Sequence, residues 1–263
     1  MATQAVSTLV PADLDLGNAI IYYSPTTFST FASAKSATTW RKLGQMKDGV
    51  QLDVPREFAK IYSGFPSKLV KQYIASEALN IAGAIAEFNP FNLARVFGGL
   101  DLTVALKSSS PTPTTAASGS TKSVVKVASA SGFAAGDLIK VGTQYGRIKS
   151  ISGTDFTLYE GLSGDTNPAT SDAVSKVDTA SFKIGSLAAP AEYAIKISKT
   201  QVGGPFSWNC YIPRAIFAGN PSMAFPDNSA SPTDILGVPF AIEALADADI
   251  ESGNLAMWEF THN

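Results

Sequence analysis

The sequence predicts a mainly β protein with one flanking helical segment and a small β module inserted into the main domain. Short runs alternating apolar and polar residues recur along most of the chain, separated by Gly-, Asp- and Asn-containing turn signals. Only one stretch, residues 81–97, spaces its apolar residues at a helical interval. An uncharged Ser/Thr/Pro-rich segment, SSSPTPTTAASGST from Ser108 to Thr121, divides the chain and precedes a block with its own strand rhythm. The division is therefore 1–110 for the first part of the main domain, 111–121 for a flexible linker, 122–178 for the inserted module and 179–263 for the second part.

In chain order, residues 38–64 read as a hairpin. Asp48-Gly49 supplies a turn where positive φ is cheap, and Val50, Leu52 and Val54 alternate after it. KLVKQYIASEA (68–78) reads as a further strand. In NIAGAIAEFNPFNLARVFGG, Ile81, Ile85 and Phe88 suggest a helix that Pro90 ends or kinks. Asn92 would cap a second short turn carrying Leu93, Val96 and Phe97, and Gly98-Gly99 would stop it. The module offers strands at 124–128, 137–142, 146–151, 156–162 and 173–177, enough for a small barrel or sandwich. The last part reads as strands at 192–201 and 205–219, with a final strand, LAMWEF, after a turn at Gly253-Asn254.

Composition narrows the function classes. Only 16% of the 263 residues are charged, against roughly 25% in ordinary soluble domains, so the surface is lightly charged. The net charge of −2 argues against a basic nucleic-acid reader. One Cys (Cys210) and one His (His262) exclude an internal disulfide, a Cys/His zinc cluster and an HExxH site, and they make nucleophilic hydrolase machinery improbable. No run reaches the roughly 18–20 apolar residues of a membrane span, and the first basic residue is Lys35, so the expectation is a soluble protein made without export, with no membrane insertion. No phosphate-loop pattern occurs, and no cofactor is expected.

The remaining candidates are structural. Asp247, Asp249 and Glu251 alternate before Gly253 in the manner of a calcium loop, but without the distal bidentate Glu, so a solvated turn is the competing reading. From Glu243 to Glu259 there are five acidic residues and no basic one, which reads either as a solvated rim or as electrostatic matching between neighbouring subunits. Trp40, Trp208 and Trp258 are core or interface anchors, or alternatively a sugar-stacking platform. Cys210 alternates with Trp208 and Ile212 and reads as a buried, inert thiol.

Residues 38–99 also resemble the tail tube proteins (major tail proteins) of long-tailed, siphovirus-like bacteriophages. The shared features are Trp40 followed by Leu43-Gly44, the Asp48-Gly49-Val50 turn, a strand carrying Glu57, and the run Glu87, Pro90, Asn92, Leu93. Residues 205–249 look like that family's closing strands, and 128–164 like a small β module spliced into virion proteins. The resemblance implies a tail-tube β-sandwich or rolled sheet, forming hexameric rings that stack into a conduit for DNA delivery. It implies a structural protein and not an enzyme, made in the host bacterial cytoplasm and located in the virion tail. Its partners would be copies of itself, a tape measure protein, and tail-tip and tail-terminator proteins, with transient non-specific passage of DNA. Asp48, Gly49, Asp247, Asp249 and Glu251 become candidates for ring-to-ring contact, and strands in 40–62 and 68–79 candidates for the inner barrel. The alternatives are another virion component, such as a decoration or tail-tip/fibre-base protein, and a carbohydrate-binding module.

Overall fold

Alternation of apolar residues organises the main domain, as it must where one face of a sheet is buried and the other is not. A computed structural model describes residues 19–44, 46–86, 90–97, 102–107, 114–159, 161–163, 166–183, 190–200, 206–219, 221–222, 237–246, 250 and 253–262. Its elements begin with β1 (Ile20–Ser24), α1 (Phe31–Ser36), β2 (Arg41–Lys42), β3 (Met46–Asp53), β4 (Arg56–Ser63), β5 (Lys68–Glu77), β6 (Asn80–Ile85), α2 (Pro90–Val96) and β7 (Leu102–Leu106). Next come β8 (Thr114–Thr115), β9 (Val124–Lys126), β10 (Leu138–Val141), β11 (Gln144–Ser152), β12 (Asp155–Leu158) and β13 (Ala173–Phe182). The last are β14 (Glu192–Thr200), β15 (Phe206–Phe217), β16 (Val238–Ala244) and β17 (Met257–His262). Among the described residues strand makes up 57% and helix 6%, which places the protein in the mainly β class, with curled sheets forming half-barrels.

The larger sheet runs β2-β1-β14-β15-β16-β6-β3, with β17 also paired to β15. One face buries alternate residues: Ile21 and Tyr23, Ile195 and Ile197, Cys210 and Ile212, Ile81 and Ile85. Leu93 and Val96 of α2 pack against this core, and the Arg95 guanidinium lies 4.4 Å from the centre of the Tyr23 ring. The opposite face is covered in part by α1. Thr30 caps that helix by accepting from the Ser33 amide, while the Ser33 hydroxyl accepts from the Thr30 amide. Phe31 and Ala34 then pack on Tyr211 and Ile250.

The second sheet, β7-β13-β10-β11-β12-β9 with β8 beside β13, encloses a separate core of Val125, Ile139, Ile148, Phe156, Leu162 and Val174. The long β13 joins the two regions. Its first half pairs with β10 and β8, and its second half pairs with β7 as a two-stranded stem. Lys122 Nζ also donates to the Thr38 carbonyl at 3.0 Å.

Four sequence expectations are corrected here. Residues 81–85 form a strand, because Ile81 and Ile85 share a face at period two as readily as at period 3.6. The helix proper starts at Pro90, where the missing N–H costs nothing, and Asn92 lies inside it. A second helix, α1, was not anticipated, since its six residues are too few to show a period. The expected linker is partly built into the module: Thr114-Thr115 pair with β13, Ala116 bridges Val127, and Ser120 is buried.

Candidate assembly surface

β3 and β4 form one nearly continuous limb, and β5 and β6 the returning one, so residues 46–85 make a single long hairpin. Only its proximal half belongs to the main sheet, through β3 paired to β6 and β6 to β16. The distal half, β4 with β5, is a two-stranded sheet by itself. Pro55 separates the halves. It has no N–H to give, and its carbonyl accepts from Ala78. Register shifts after Glu57 and after Ile61 mark bulges, which increase the local twist of the ribbon. At its base, Arg56 pairs with Glu77 at 3.1 Å, and the Ser76 hydroxyl donates to Glu57 at 3.1 Å.

This arm carries apolar side chains on both faces. Phe58 lies opposite Ile74 and Tyr62 opposite Leu69, whereas Ala59 lies opposite Tyr73, with Ile61 two residues along on the same face. Phe58, Ile61, Tyr62, Leu69, Val70, Tyr73 and Ile74 are between 47% and 65% exposed, and Phe65 at the turn is fully exposed. An isolated two-stranded hairpin is marginal in water, and exposed apolar side chains on both of its faces make the arm a candidate interaction surface.

A second exposed feature lies on β17. Trp258 and Phe260 project from the face that also holds Trp208 and Cys210, and they are 43% and 73% exposed. The Trp208 and Trp258 rings pack against each other, tilted by 41°, at 5.0 Å between centroids. On the other face, Glu259 accepts from Lys35 of α1 in a short ion pair, which raises the Lys35 pKa and ties β17 to the helix. Among the described residues, the outer edge of β17 pairs with no strand.

The predicted site residues are scattered. Asp48 and Gly49 lie within β3, not in a turn. Gly49 takes φ +84° at an irregularity between Met46 and Val50, so the Asp-Gly signal marks a bulge and the hairpin turns instead at residues 64–67. Asp247, Asp249 and Glu251 lie outside the described residues, and with them the proposed calcium-like loop. Trp40 is half-buried: its Nε1 donates to the Ala34 carbonyl at 3.2 Å, and its ring meets Phe28 and Tyr211. Lys196 Nζ lies 4.6 Å from the Tyr22 ring centre and 5.2 Å from that of Trp40, and burial lowers its pKa. Trp40 therefore packs on the face opposite Trp208 and Trp258, and the three make no common platform.

The arm's Phe58, Tyr62, Phe65 and Leu69 were not singled out from sequence. The available signal was the loss of alternation, because apolar residues of both parities (Phe58, Ile61, Tyr62; Leu69, Val70, Tyr73, Ile74) do not describe a half-buried strand.

Little in the described residues suggests chemistry. Burial pushes the Cys210 thiol up to about 12, so it is protonated and unreactive at neutral pH. No group of three or more His, Cys, Asp or Glu among the described residues could hold a metal ion. No described helix is long and apolar enough to cross a membrane. Comparison with protein-family models yields no match, and comparison with curated proteins yields none.

Proposed function

We propose that this chain is a structural subunit that polymerises with copies of itself, as stacked rings forming a phage tail tube through which DNA passes. The observation that carries this is the arm, a ribbon with apolar residues on both faces and no partner strand beyond its own hairpin among the described residues. A monomer gains nothing from exposing it, and a repeated copy offers the same complementary surface at every step. A contact between unlike patches on identical chains is heterologous, so it closes into rings or propagates into a filament. The resemblance of residues 38–99 to tail tube proteins selects the tube among such assemblies. It also brings the proposed virion location and the tape measure, tail-tip and tail-terminator partners. A lightly charged surface suits a conduit, since tight phosphate binding would hold DNA back. No catalytic role is proposed. The carbohydrate reading is disfavoured by the placement of Trp40 away from the other two tryptophans.

Negative-stain electron microscopy over a concentration series, beside light-scattering mass, tests the proposal. Hollow tubes or stacked rings are expected, with or without seeding by tail tips. Particles that stay discrete after seeding would replace this reading with that of a decoration or tail-tip component.

A further inference from the structure

One edge of β15 is shared along its length by two strands. β17 covers Phe206 to Tyr211, and β16 covers Ala215 to Phe217. Beyond β16 the sheet continues through β6 to β3, whereas beyond β17 it stops among the described residues. The sheet is therefore notched where two strands would complete it. The arm has the dimensions of the missing piece: two strands, of eight and ten residues, against the six of β17. It is also collinear with the vacancy. Glu243 lies opposite both Ile216 and Asn80, and β5 runs into β6 from the β17 side, so a straight limb would pass along β17. Within the single chain, however, no ladder forms between the arm and β17.

The geometry points to the arm of one copy filling the notch of another, by strand pairing along the open edge of β17. This joint rests on the self-assembly reading and identifies the two surfaces that meet. Main-chain bonds along the β17 edge supply attraction without demanding a particular side chain. Specificity comes from what flanks that ladder. On one side, the row Trp208, Trp258 and Phe260 continues into the apolar face of the incoming arm, with Phe58, Ile74, Tyr62 and Leu69. The charges also differ in sign: residues 58–76 hold Lys60, Lys68 and Lys71 and no carboxylate, while β17 itself carries Glu259 and no lysine or arginine. Each chain then gives one arm and receives one, which extends a sheet from subunit to subunit.

The test is disulfide trapping in the full chain. Thr261→Cys on β17 is combined in turn with Ala59→Cys, Lys60→Cys, Lys71→Cys or Gln72→Cys on the arm. All five positions are exposed or half-exposed, and the buried Cys210 is left in place. Oxidised assemblies are expected to yield ladders of linked chains on non-reducing gels, for one side-chain parity of the arm and not the other. Assemblies that form normally but give no linkage at any position would overturn the joint and leave self-assembly standing, as would linkage confined within single chains. A chain that never polymerises, seeded or not, would overturn the self-assembly reading and the joint with it. Phe260→Asp provides a second readout: it raises the critical concentration at least tenfold without altering monomer unfolding, and an unchanged critical concentration would overturn the joint.

Discussion

Phe58→Ser separates the cost of assembly from the cost of folding. In the single chain Phe58 is 48% exposed and touches the body through no strand pairing beyond its own hairpin. A Phe side chain buries on the order of 200 Å² when fully covered, so assembly would remove about 100 Å² more from water. At about 25 cal/mol per Å², the lost burial is about 2.5 kcal/mol per joint. A tenfold change in an equilibrium constant is about 1.4 kcal/mol, so the critical concentration should rise by a factor of about 60. Unfolding of the main domain should change by no more than about 0.5 kcal/mol, because the covered half of Phe58 packs within its own hairpin and not in the main core. Sedimentation of the polymer at graded concentrations measures the first quantity, and thermal unfolding below the critical concentration measures the second. A critical concentration within threefold of the parent (about 0.7 kcal/mol or less) would refute the reasoning, because the arm would then remain in water in the assembly.

Three other outcomes follow from the core. Gly219→Val should destabilise the monomer by about 1–3 kcal/mol, because a Cβ there would stand 2.7 Å from the backbone nitrogen of Ala241; denaturant unfolding measures this, and an unchanged midpoint would contradict the packing. Cys210, held protonated by burial up to about 12 against an ordinary value of 9.0, should make stability fall with rising pH. Between those values the native state keeps a proton that the unfolded state has released. The contribution is whole below pH 9 and decays toward pH 12, so a Cys210→Ala chain should show a flatter profile in that window. Replacing residues 108–175 by a short Gly-Ser turn should leave the main domain folded, because Lys107 and Lys176 are already joined by a 2.8 Å backbone bond and the two cores are separate. Loss of cooperative unfolding in that deletion would show that the module supports the main domain.

Much of the architecture was legible in one dimension. The strands at 192–200 and 206–217 and those of the module were readable because alternation and turn residues report local geometry directly. The segment 80–85 was misread for a physical reason: an i, i+4 pair such as Ile81 and Ile85 satisfies both periods, and only pairing to β3 and β16 decides between them. Asp48-Gly49 failed similarly, since a positive φ serves a bulge as well as a turn.

By itself, the sequence determined the mainly β class, the separate strand rhythm of the module, the scarcity of cysteine and histidine, and the low charge content. Those follow from composition and short-range pattern. Only the tertiary structure decided that the 46–85 hairpin lies half inside the sheet and half outside it. The difference lies in what pairs with each half: β16 covers β6 and buries Ile81 and Ile85, while among the described strands β4 and β5 have only each other. The same kinds of apolar residue are therefore core in one half of the hairpin and exposed surface in the other.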